Sequence, residues 1–108
     1  MFTVIETASF EKKARRLLSD EEYVRLVMTL AENPETGALV KGTGGARKMR
    51  FAIGGKGKSG GVRVIHFCLT DAGEVYLLDI YAKGEKEDLS TAEENELAKL
   101  IALLKGSG

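Results

Sequence analysis

Apolar residues recur along this chain at two different periods, and the points where the period changes divide it into seven segments. Phe2 to Glu6 is a short β-branched run that predicts a strand. The Thr7 to Ser9 cluster then offers a helix N-cap, and a helix is predicted from about Phe10 to Leu18. Ser19 opens a second helix. Glu22 stands three residues on, which makes a capping box, and Asp20, Glu21 and Glu22 put negative charge at the positive end of the helix dipole. Tyr23, Leu26, Val27 and Leu30 recur at helical spacing until Asn33-Pro34, where proline disfavours the α conformation of the residue before it.

After a glycine-bearing loop through Lys41 to Ala46 the period changes to two. Lys48 to Ile53 alternates basic and apolar residues as a strand does, and Gly54 to Gly61 reads as a loop tip. VRVIHFCL, from Val62, is strongly β-prone and predicts a largely buried strand. Asp71-Ala72-Gly73 is a turn, so Glu74 to Tyr81 should pair back as an antiparallel hairpin. A second capping box, Ser90 with Glu93, starts a C-terminal helix whose apolar stripe is Leu97, Leu100, Ile101 and Leu104. That stripe is most simply a packing face against the sheet. The order β-α-α-β-β-β-α predicts an α+β fold: a small antiparallel β-sheet with an N-terminal helical pair and a C-terminal helix. The length of 108 residues fits one domain over residues 1–105, with 106–108 as a flexible tail.

Charge alters this picture of an ordinary small domain. The chain has no net charge, yet the 35 residues from Thr36 to Thr70 carry seven basic side chains and no acidic one, so the other 73 carry −7. Nine of the 13 glycines also lie between Gly37 and Gly61. Lysine and arginine neutralise phosphates and release counterions, and glycine lets the main chain approach closely. A solvated loop that keeps the protein soluble is the plainer explanation of the same residues.

Several classes are disfavoured. Cys68 is the sole cysteine and sits in an apolar run, so no intrachain disulfide forms and a buried reduced thiol is expected, as in a cytoplasmic protein. With one histidine, His66, no metal-ligand set is recognisable and no metal or cofactor is expected. No apolar stretch is long enough to span a bilayer, and the N-terminus has no signal-peptide pattern.

Alternation puts Arg63 on the face of Ile65, Phe67 and Leu69, at the start of its strand, and puts Lys48 and Arg50 together on one face of theirs. Lys83 follows closely on the strand ending at Tyr81, so Arg63 and Lys83 should approach across the hairpin. Such convergence is costly unless an anion belongs there. Metal-free RNA cleavage needs a base for the 2′-hydroxyl, positive charge for the phosphorane-like transition state and an acid for the 5′-oxygen. Arginine suits the second role. A lysine whose pKa is lowered by neighbouring cations suits the first or third, and no carboxylate or second histidine lies in the basic segment. His66 lies on the opposite strand face and is read as a packed structural residue.

The combination of a basic strand, a loop, a strand opening Gly61-Val62-Arg63, and a strand closing Tyr81-Ala82-Lys83 before a polar helix start resembles the RelE/HigB superfamily of toxin–antitoxin toxins. The loop Lys56-Gly57-Lys58-Ser59-Gly60-Gly61 is similar to its HigB-like branch. The resemblance implies a RelE/ParE-like fold and a ribosome-dependent, metal-independent mRNA endonuclease that inhibits translation. It also implies partners: a cognate antitoxin that neutralises it, the ribosome with its mRNA, and operator DNA reached only through the antitoxin. Carried over by position, Arg63, Lys83, Lys48 and Arg50 become the catalytic candidates. Arg47, Lys41, Lys56, Lys58 and Tyr81 become candidates for contact with RNA or the ribosome. Members often carry a tyrosine or histidine near the C-terminal helix; Leu89-Ser90-Thr91 offers none, and Tyr81 is the nearest aromatic hydroxyl. A non-catalytic, ParE-like inhibitor of a protein target and a simple nucleic-acid-binding module are the alternatives. The basic cluster disfavours the first. The second lacks support because most of the seven Phe and Tyr residues sit in apolar patterns.

Overall fold

The computed structural model describes residues 1–54 and 61–106. Its elements are β1 (Thr3–Glu6), α1 (Ala8–Leu17), α2 (Asp20–Glu32), β2 (Ala38–Leu39), β3 (Arg47–Phe51), β4 (Val62–Leu69), a 3-10 turn (Thr70–Ala72), β5 (Glu74–Ala82) and α3 (Thr91–Gly106). The five strands form one sheet in the order β1-β5-β4-β3-β2. The pairs β2/β3, β3/β4 and β4/β5 are antiparallel. The edge pair β1/β5 is parallel, with Thr3 opposite Glu74 and Glu6 opposite Leu77. The expected α+β architecture is present, with a parallel edge strand added to the antiparallel sheet. The two-residue strand β2 is also new, and α3 runs through Gly106, one residue into the expected tail.

Local chemistry sets the helix starts. Thr7 accepts a hydrogen bond from the Phe10 amide at 3.3 Å, while its own hydroxyl donates to the Leu77 carbonyl at 3.0 Å, so one side chain both caps α1 and ties it to β5. The Ser19–Glu22 capping box is formed at α2, with the Ser19 amide donating to Glu22 at 2.8 Å. The Ser90–Glu93 reciprocal pair is formed at α3, at 2.8 and 3.1 Å.

The sheet separates two cores. Phe10, Ala14 and Leu18 of α1 and Leu26 and Leu30 of α2 pack on one face against Met49, Phe51, Val62, Val64, Val75, Leu77 and Ile80. On the other face, Leu97 and Ile101 of α3 pack with Ala46, Ile65, Phe67, Leu78, Tyr81 and Leu89. The C-terminal stripe is thus a packing face. Covering both faces explains why β4 reads as a near-continuous apolar run. Burial weakens at the end of β4, where Cys68, expected to be buried, is half-buried.

β5 serves both cores through a bulge. Ile65 pairs with Asp79 but His66 pairs with Leu77, which leaves Leu78 as an extra residue. Leu77 and Ile80 therefore enter the helical-pair core while Leu78 and Tyr81 enter the α3 core. Asp79, between them, binds the Lys13 ammonium at 2.8 Å.

Candidate functional site

The cations gather where β3 ends, β4 begins and β5 ends. Arg50 is exposed and lies directly opposite Arg63 in the β3/β4 register, and Arg63 lies opposite Tyr81 in the β4/β5 register. Just past β5, the Lys83 amide donates to the Gly61 carbonyl at 3.2 Å. This bond holds Lys83 at the start of β4, near Arg63, as the hairpin geometry predicts. The two line a cleft of about 450 Å³ with Gly84, Lys86 and Glu87. Lys48, two residues before Arg50 on the same strand face, is ion-paired to Asp88 at 3.0 Å.

Gly61 makes this close approach of strands feasible. A Cβ there would run into the Phe51 carbonyl oxygen and the backbone of Ala52. Gly61→Ala is expected to destabilise the fold by about 2 kcal/mol, the scale of forced overpacking. Urea unfolding would read it as a lower midpoint with an unchanged m-value; an unchanged midpoint would contradict this account.

Other candidates lie apart from the cleft. Arg47 is on the opposite face of β3 from Lys48 and Arg50, half-buried. Its guanidinium donates to the Gly37 carbonyl at 3.0 Å and sits 3.7 Å from the Glu35 carboxylate. It holds the segment before β2, apart from the cations of the cleft. Lys41 is exposed in the turn that enters β3, at the far end of that strand from Arg50. Lys56 and Lys58 lie outside the described residues. Tyr81 is fully buried, so it presents no ring for base stacking, and the Lys86 ammonium lies 4.7 Å from its ring centroid. Its hydroxyl has no hydrogen-bond partner among the described residues. Burial first, and then the Asp88 charge, push the Tyr81 phenol up, while Arg63 pulls it down. Protonated and enclosed, it is a poor base.

His66 is packed away from the cleft, as expected. It is fully buried, and its Nε2 donates to the Thr36 carbonyl at 2.9 Å in the tautomer that this contact requires. Burial, aided by the Arg47 charge and opposed by that hydrogen bond, holds its pKa down to about 4.

Sequence reasoning missed the carboxylates. The lead-in and first turn of α3 return over the cationic end of the sheet: Asp88 binds Lys48, and Glu93 binds Lys86, itself absent from the sequence-based candidates. Lys48 draws the Asp88 carboxyl below its ordinary range, and Lys86 does the same to Glu93. Glu87 brings a further carboxylate into the cleft beside Arg63 and Lys83. The signal was present as an acidic run after Lys83, and only the tertiary fold shows what that run faces.

Among the described residues, no group of three or more His, Cys, Asp or Glu side chains is arranged to hold a metal ion. None of the helices there is long and apolar enough to cross a membrane.

The fold and the cleft define a small α+β protein with cations concentrated at one end of its sheet. The family model described as "RelE toxin of RelE / RelB toxin-antitoxin system" matches residues 2–106, and the chain belongs to that family. Solved structures share the fold. A double arginine-to-alanine mutant of the E. coli toxin RelE in its free state matches with a TM-score of 0.64 at 16% identity, over 93% of this chain and 97% of that one. The isolated E. coli RelE toxin matches with a TM-score of 0.60 at 16% identity, over 93% and 99%. A chain of the intact E. coli RelBE toxin–antitoxin complex gives 0.58 at 17% identity, over 74% and 94%. At these identities the correspondence is one of fold.

Proposed function

We propose that this protein is a cytoplasmic toxin that cleaves mRNA on the ribosome without a metal ion, is neutralised by a cognate antitoxin and meets operator DNA only through that antitoxin. The observation that carries the reading is the convergence of Arg50, Arg63 and Lys83 on one sheet end in a RelE-family chain. Arg63 would bind the scissile phosphate with its planar fork and stabilise the charge that builds on it during attack by the 2′-hydroxyl. Arg50 and Lys48 extend the positive track along β3. Proton transfer falls to the titratable groups lining the cleft, Lys83, Lys86 and Glu87. Retention of this cluster favours the nuclease over a ParE-like inhibitor. The glycine-lysine loop supports the HigB-like branch.

Mapping 5′ ends on an mRNA in a purified translation system tests the proposal. Cuts at ribosome-occupied codons are expected with the wild-type protein. Lys83→Ala is expected to slow them by about a hundredfold, the lower end of the range for a positioned proton-transfer group. Intact mRNA with folded wild-type protein would overturn the nuclease reading.

A further inference from the structure

We propose that Asp88 and Glu93 are specificity-determining residues that occupy Lys48 and Lys86 as built-in counter-charges, so that an isolated RNA strand binds poorly and only a substrate held against the cleft displaces them. This rests on the nuclease reading of the same site.

Two independent contacts carry it. The Asp88 carboxylate lies 3.0 Å from the Lys48 ammonium, and Glu93 is ion-paired to Lys86, whose ammonium lies over the Tyr81 ring. Asp88 comes from the α3 lead-in and Glu93 from the first turn of α3, in a stretch from Lys83 to Glu96 where six carboxylates accompany two lysines. The cations come from the strand bearing Arg50 and from the cleft wall. A phosphate approaching Lys48 or Lys86 must therefore replace a carboxylate that already satisfies it, and meets the repulsion of Glu87 at the cleft. Asp88 and Lys48 remain substantially accessible, with 67% and 29% of their side chains exposed, so the exchange requires no unfolding. A loose oligonucleotide has only its own few phosphates to drive it. An mRNA fixed beside the cleft by a larger assembly presents phosphates at far higher effective concentration and makes the exchange favourable.

The geometry also supplies clean variants. Asp88 accepts from the Leu89 amide and Glu93 from the Ser90 amide, and Asn and Gln keep an acceptor oxygen in each place. Asp88→Asn/Glu93→Gln thus removes the counter-charge while keeping both local hydrogen bonds. Asp88→Glu keeps the charge and serves as the control.

The experiment measures binding of a fluorescent single-stranded RNA of about ten nucleotides, made uncleavable by 2′-O-methylation, between about 50 and 200 mM salt. The double variant is expected to bind about tenfold more tightly at the lower salt, as two surface ion pairs no longer compete. Its log–log salt slope should steepen by about 1.4, because two more cations engage phosphate on a single strand. Asp88→Glu should bind like the wild type. Unchanged or weaker binding by the double variant would overturn the proposal, and so would equal tightening by Asp88→Glu. Ribosome-programmed cleavage, measured in parallel, separates the two readings. Tighter RNA binding with no cleavage by the wild type removes the nuclease but leaves the counter-charge; normal cleavage with no gain in binding does the reverse.

Discussion

Arg63→Ala is expected to slow cleavage of ribosome-bound mRNA by about a hundredfold to a thousandfold, the scale for losing one preorganised group that stabilises transition-state charge. The backbone of Arg63 is fixed on both sides, opposite Arg50 on β3 and Tyr81 on β5, so its guanidinium starts from a rigid base at the cleft. Lysine at 63 should restore charge without the bidentate fork and recover only part of the loss. Single-turnover cleavage at saturating toxin is the relevant measurement, since binding spread over Lys48, Arg50 and Lys83 should leave ribosome affinity within about tenfold of the wild type. A fall of less than about fivefold in that rate would remove Arg63 from the chemistry.

Acid is expected to destabilise the protein through His66. Its folded pKa is about 4 against an ordinary 6.5, because a buried imidazole resists charge. Between those values the unfolded chain binds more protons than the folded one, so stability rises with pH. The contribution is fully present above pH 6.5, is lost progressively as pH falls, and is exhausted near pH 4. The difference of 2.5 pH units corresponds to about 3 kcal/mol in all, and about 2 kcal/mol between pH 7 and pH 5. Urea unfolding across that range, on the wild type and on His66→Gln, isolates the effect because the carboxylates are common to both. The wild-type curve should fall more steeply by about 1.2 kcal/mol per pH unit in the middle of the window. Parallel curves would refute the assignment.

What was legible in the sequence was mostly local. Ser19 with Glu22 and Ser90 with Glu93 announce helix starts because each capping box lies within one turn. The long strands announce themselves by β-branched and aromatic runs, and the Arg63–Lys83 approach follows from a short hairpin turn. The parallel β1/β5 pair joins residues 3 and 74, a choice of partner that no periodicity encodes. The β5 bulge breaks period two once, between Leu78 and Ile80, which share parity but enter different cores, and the adjacent apolar pairs Leu77-Leu78 and Ile80-Tyr81 were the visible trace of a strand feeding two cores. Strand alternation put Arg47 and Lys48 on opposite faces, yet their shared charge grouped them. Tyr81 was offered to RNA as an aromatic hydroxyl, whereas the packing of Leu89 and Lys86 against it encloses the ring. The facing of Asp88 and Glu93 onto Lys48 and Lys86 depends on where α3 docks, which is a tertiary fact.

The parallel edge strand also bears on how the chain is made. Among the described residues β1 finds its strand partner in β5, which is made much later, and the helical pair that follows β1 buries its apolar side against residues as late as Ile80. During synthesis β1, α1 and α2 therefore wait, without a sheet to complete, until β5 has emerged. Arg63 and Lys83 meet only after the same step. Assembly of the cationic cleft is thus tied to the closing of the whole sheet, and a truncated nascent chain has neither.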